Sequence, residues 1–149
     1  MDTLRVGTKQ KSRRGAVAVE VALVLPVTFL LMYAIFDCGR AMSTKQLLEN
    51  ATRAAARQAV VGTTTLTTAN IQTTVTNYMG ALALQGMIVQ VYQADPTTGA
   101  NIGAWTSAPN GKCIAVQVTG NYVPIIPKFS LLPNPLAMSS KVLMYCEAN

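Results

Sequence analysis

From Ala16 to Phe36 the chain runs 21 residues with a single charge, Glu20, and the tail before it carries Arg5, Lys9, Lys11, Arg13 and Arg14 against one carboxylate, Asp2. As a helix rising 1.5 Å per residue, such a run reaches roughly 30 Å, enough to cross a hydrocarbon core. Residues 16–36 are therefore expected to be a transmembrane helix. The flanking cations hold the N-terminus on the cytoplasmic side, so the residues that follow lie outside it. Glu20 is the anomaly, because a carboxylate left unpaired in lipid costs about 3 kcal/mol and is a functional signal by default.

Other readings of this N-terminus compete. A secretory signal would be cut after the apolar run, with Gly39-Arg40-Ala41 as a small-residue site, but this run exceeds the usual length, contains a carboxylate and continues into Asp37 and a helical pattern. Arg13-Arg14 after Ser12 echoes a twin-arginine signal, for which an acid six residues later is a poor start. An uncleaved single-pass anchor with Glu20 snorkelling to the inner interface stays open. The favoured reading is cleavage between Gly15 and Ala16 at the cytoplasmic face. Glu20 then becomes the fifth residue of the mature chain, and the new ammonium on Ala16 lies roughly 6 Å away along its own helix. That ammonium is free to pair with the carboxylate of a neighbouring subunit, which would dock subunits in register.

The residues that carry this reading are Arg13-Arg14-Gly15-Ala16-Val17-Ala18-Val19-Glu20, then Ala22-Leu23-Val24-Leu25-Pro26, then Phe36-Asp37-Cys38-Gly39-Arg40, with Asn50-Ala51 and Ala56-Arg57 farther along. Together they resemble the TadE-like family, minor pseudopilins of the tight-adherence (Flp) pilus machinery of bacteria. The resemblance covers residues 13–60 and reappears weakly in Ser139-Ser140-Lys141-Val142-Leu143-Met144-Tyr145-Cys146-Glu147, which looks like the family's last strand. It departs at Val21, where many relatives have an aromatic residue. It implies processing by a prepilin peptidase at Gly15, and a non-enzymatic role in assembling or priming a fimbria at the inner membrane. The implied partners are other pilins or pseudopilins, the tight-adherence platform and the bilayer.

Past the span the helical pattern continues. Lys45, Glu49, Arg53 and Arg57 recur every fourth residue as a solvated charged face, alanines at 51, 54, 55, 56 and 59 give a thin packing surface, and Gly62 offers a stop. A helix over 16–61 would be roughly 69 Å long. Pro26 removes one backbone bond and is expected to kink or locally open it. Residues 63–70 read as a threonine-rich hinge, and Ile71, Val75, Tyr78 and Leu82 trace a short amphipathic helix. Met87–Gln93, Cys113–Tyr122 and Ser139–Cys146 have strand character, and Ile114, Val116 and Val118 alternate with Ala115, Gln117 and Thr119. Between them lie a polar loop over 94–112 and a connection broken by Pro124, Pro127, Pro133 and Pro135. The expected organisation is a basic leader (1–15), a transmembrane helix (16–36), its extracytoplasmic continuation (37–61) and an α+β head (62–149). That fold is pilin-like, with a short helix and a three-stranded antiparallel sheet in the head.

The net charge of +6 invites a nucleic-acid reading. Without residues 1–15 only seven cations face five carboxylates, scattered and without interleaved aromatics, so no nucleic-acid partner is expected. Three cysteines lack metal-ligand spacing, and neither a metal nor a cofactor is implied. Cys113 and Cys146 are either a disulfide, contributing about 3–4 kcal/mol by closing a loop of some thirty residues, or two buried free thiols. Cys38 has no lipobox and reads as a packing residue or an intersubunit thiol. With zero histidines, no glycine-rich phosphate loop and no nucleophile elbow, no enzyme is expected.

Overall fold

The computed structural model describes residues 13–125 and 133–146; the expected leader up to Ser12, Pro127 of the connection and the closing Glu147 lie outside them. Helix α1 spans Arg13–Val61, α2 Thr68–Met79, and four strands follow: β1 Gln85–Ala94, β2 Asn101–Gly103, β3 Cys113–Tyr122 and β4 Leu136–Tyr145. The chain divides into two compact units, one up to Phe36 and one from Asp37 onward. The second half of α1 is thus an integral part of the head.

In the first unit α1 is an exposed apolar rod, and it is the one described helix long and apolar enough to cross a membrane. The helix is continuous through Pro26, which has no N–H to offer the Ala22 carbonyl. Thr28 donates its hydroxyl to the Val24 carbonyl at 3.0 Å, which satisfies its one polar group within the helix.

The second unit is built on the alanine face of α1. Leu48, Ala51, Ala55, Ala56 and Ala59 are fully buried in one core with Ile71 and Val75 of α2 and Ile114, Val116 and Val118 of β3. Small side chains let helix and sheet approach closely while Leu48 and the β-branched residues supply the apolar area. The charged ladder stays on the solvent side, where Glu49 faces Lys45 at 3.7 Å and Arg53 at 3.8 Å, exposed pairs worth little to stability.

α2 corrects one expectation. Its buried residues are Ile71, Val75 and Met79, a strict four-residue spacing, whereas Tyr78 is exposed. Gly80, at φ +48°, ends the helix, so Leu82 falls in the following 3₁₀ turn. The hinge is also shorter than expected, because α2 already begins at Thr68. Asn70 Oδ1 accepts the Thr67 backbone N–H at 3.0 Å and fixes that start, the Glu/Gln role in a capping box.

The sheet has four strands rather than three, all antiparallel, in the order β2-β1-β3-β4. The added strand lies in the stretch read as a loop. Asp95 accepts the backbone N–H groups of Thr97 and Thr98, each at 2.8 Å, and Gly99 takes φ +67°. The chain therefore reverses tightly enough to set Asn101 beside Ala94. The Thr98 and then the Thr97 amide hold the Asp95 carboxyl below its ordinary value of 3.8. A depressed carboxylate pKa supports the fold above the unfolded value, and that support is lost as pH falls through the folded one. In an acid titration followed by NMR, the Thr97 and Thr98 amide resonances should move together with a midpoint below pH 3.8, and Asp95→Asn should abolish that movement.

β4 begins at Leu136, three residues earlier than the sequence suggests, directly after Pro135. At Gly120 of β3 the sheet passes under Leu84 so closely that a Cβ would sit 2.6 Å from the Leu84 Cβ, a contact only glycine permits.

Candidate functional site

Gly15, Ala16, Glu20 and Pro26 all lie on α1 within the first unit. Helix geometry fixes their spacing: Glu20 is four residues beyond Ala16, so one turn separates the junction from the carboxylate. Both are exposed, and nothing crowds Gly15, where an added Cβ would meet no atom within 4 Å. Glu20 stands at one end of a groove that runs along the helix past Val21, Val24, Leu25, Thr28, Phe29 and Met32. The face combines one terminal negative charge with a long apolar strip. Such a face is complementary to another apolar helix carrying a cation at the matching depth.

Residues 15–57 match the family model described as TadE-like protein. This N-terminal segment is TadE-like. The match opens on Gly15, takes in Glu20, Pro26, Gly39-Arg40 and Asn50-Ala51, and ends on Arg57, the positions on which the resemblance was drawn. No curated protein and no solved structure matches the chain.

Beyond the exposed face, the TadE-like segment also holds a polar cluster that the sequence reading did not single out. Asp37 is buried, and the Tyr122 hydroxyl donates to its Oδ1 at 2.9 Å while the Ile125 N–H approaches the same oxygen at 3.5 Å. The Arg40 guanidinium lies over the Tyr122 ring, 5.7 Å from its centroid, and the Arg40 carbonyl accepts the Thr44 hydroxyl at 2.9 Å. A carboxylate directly after a 21-residue apolar run was the available signal, yet its partner stands 85 residues away in sequence. The cluster pins the end of β3 to the beginning of the head's share of α1.

The cysteines do not form the disulfide considered above. Cys38, Cys113 and Cys146 are not disulfide-bonded in the structure. Cys113 is paired in register with Tyr145, so these two share one face of the sheet, and Cys146, the next residue, turns to the other. There its Sγ contacts the Val60 carbonyl of α1 at 3.5 Å. Burial, with a smaller push from Asp95, raises the Cys113 thiol above its ordinary value, which keeps it protonated and unreactive. Among the described residues no three His, Cys, Asp or Glu side chains gather where a metal could sit.

Proposed function

We propose that this chain is a non-enzymatic minor pseudopilin of a tight-adherence pilus system. In this reading a prepilin peptidase cuts between Gly15 and Ala16 at the cytoplasmic face of the inner membrane, and the mature protein joins other pilins through its N-terminal helix. One observation carries the reading: the TadE-like match opens on the small residue of the junction and includes a lone carboxylate one helical turn beyond it. Physical chemistry explains the pairing of these features. Peptide-bond cleavage at Gly15 converts the backbone nitrogen of Ala16 into an ammonium at the depth where Glu20 needs a counter-charge. The ammonium lies roughly 6 Å from Glu20 along its own helix and is free to pair with the carboxylate of a neighbouring subunit, so in this reading neutralisation docks subunits in register. The head, tied to the same helix through its alanine face, then takes part in priming or capping the fimbria.

The mature N-terminus tests this directly. Mass spectrometry or Edman sequencing of protein extracted from the native membrane should find Ala16 first, and Gly15→Glu should leave the chain uncut, because a bulky acid replaces the small residue required at the junction. Recovery of wild-type protein beginning at Met1 or Asp2 would instead identify an uncleaved anchor that displays an extracytoplasmic ligand-binding or adhesion domain.

A further inference from the structure

The two edges of the sheet are unlike. β2, Asn101–Gly103, pairs only with Gln93 and Ala94 at the end of β1, while β4 forms the other edge along its full ten residues, Leu136–Tyr145. The phase of β4 follows from its last bond. Cys146 donates its N–H to the Lys112 carbonyl at 2.7 Å, on the β3 side, so alternate residues inward from it face β3 and the backbone groups of Ala137, Ser139, Lys141, Leu143 and Tyr145 turn outward. The Ser139 carbonyl confirms the phase, because it accepts the Lys45 ammonium of α1 on that outer side.

Natural sheets guard long edges with lysines, and here both candidates leave the same stretch uncovered. Lys45 reaches Ser139 and no farther along the strand. Lys141 turns away from the edge onto the sheet face, where its ammonium donates to the Gly99 carbonyl and lies 5.5 Å from the centroid of the Tyr92 ring. Among the described residues the backbone of Lys141, Leu143 and Tyr145 has no partner on its outer side. Beside this stretch runs a groove between α1 and β4, lined by Arg57, Val60, Val61, Leu143, Met144 and Tyr145. Val61 and Tyr145 are more than half exposed. Arg57 is the one cation of the helix ladder without a carboxylate among the described residues, since Glu49 is engaged by Lys45 and Arg53.

We propose that the β4 edge from Lys141 to Tyr145 receives an extended acidic segment of a different protein, which adds a fifth strand to the sheet and sets a carboxylate against Arg57. Backbone hydrogen bonds then supply the affinity, and the Val61–Tyr145 groove with Arg57 supplies the selection. A second copy of this chain fits poorly, because its β4 would bring Lys141 and no carboxylate to a surface that is already cationic. This interaction goes beyond the processing reading and does not depend on where the mature chain begins.

The test places p-benzoylphenylalanine at Tyr145 of the full chain, in the membranes of the cells that make it, with the exposed Tyr78 of α2 as the control site. Irradiation should give an adduct from position 145 and none from 78, mapped by mass spectrometry to a segment of another protein containing Asp or Glu. Leu143→Pro removes an N–H that bonds nothing within the sheet, so the fold should survive by circular dichroism while the adduct falls about tenfold. Arg57→Glu should lower it about fivefold, and this variant decides alone if Leu143→Pro fails to fold. Absence of an adduct, an adduct to a second copy of this chain, or a yield insensitive to these substitutions would overturn the proposal. Sequencing the N-terminus in the same samples separates that failure from a failure of the processing reading.

Discussion

Ala55→Phe should destabilise the head by about 3 kcal/mol, near the upper end of the cost of overpacking a tight interior. Ala55 is fully buried, as are its helix neighbours Ala51, Ala56 and Ala59, and it shares one core with Ile114, Val116 and Val118 of β3. A benzyl group has no free volume there. It must displace the helix from the sheet, or force β-branched side chains off their preferred rotamers, and either movement is transmitted because the interior is close-packed. In a thermal melt of the full chain in detergent, the head's transition should fall by roughly 10 °C or more. The same substitution at Gln46, exposed on the same helix, should change stability by less than about 0.5 kcal/mol. Equal melting temperatures for the two variants would mean that the alanine face is not the packing surface.

That surface was legible in the sequence because alanine is both a strong helix former and a small residue, so propensity and packing point the same way over residues 51–59. β3 was legible for a similar reason: Ile114, Val116 and Val118 alternate with less apolar residues, and the strand spans Cys113–Tyr122 as the alternation suggests. β2 was not, since three residues cannot display a period and its pairing depends on the reversal built by Asp95 and Gly99. In α2 the misplaced apolar stripe came from treating Tyr78 as a core residue, whereas an exposed phenol keeps its hydroxyl in water and Met79 packs inward. The thiols show the limit of spacing arguments. Cys113 opens β3 and Cys146 directly follows β4, but a difference of one residue in register sends their side chains to opposite faces. The Asp37–Tyr122 contact depends on how β3 returns to the helix, which no local pattern encodes. The reading of Gly15, Ala16 and Glu20 rests on a local relation, four residues along one helix.

Glu20→Ala should leave the cut at Gly15 intact and abolish incorporation into the pilus. In the processing reading the peptidase acts at the junction, and the carboxylate acts one turn later in the docking of subunits, so one substitution should separate the two steps. N-terminal sequencing of the variant should still begin at Ala16. Its distribution should change, with the protein retained in the membrane fraction and missing from pili sheared from the cell surface. The direction of the effect is informative because lipid solubility predicts the reverse: alanine makes the span more apolar and relieves the roughly 3 kcal/mol cost of an isolated acid, so an anchor would be improved by it. Loss of assembly in a better membrane helix therefore points to the lost ion pair. Glu20→Gln, close in shape and able to hydrogen-bond but uncharged, should fail in the same way, and Glu20→Asp should retain part of the function, with the charge drawn back by one methylene. Normal assembly of the alanine or glutamine variant would remove the charge-pairing step, and the exposed strip from Val21 to Met32 would then have to hold neighbouring subunits by packing alone.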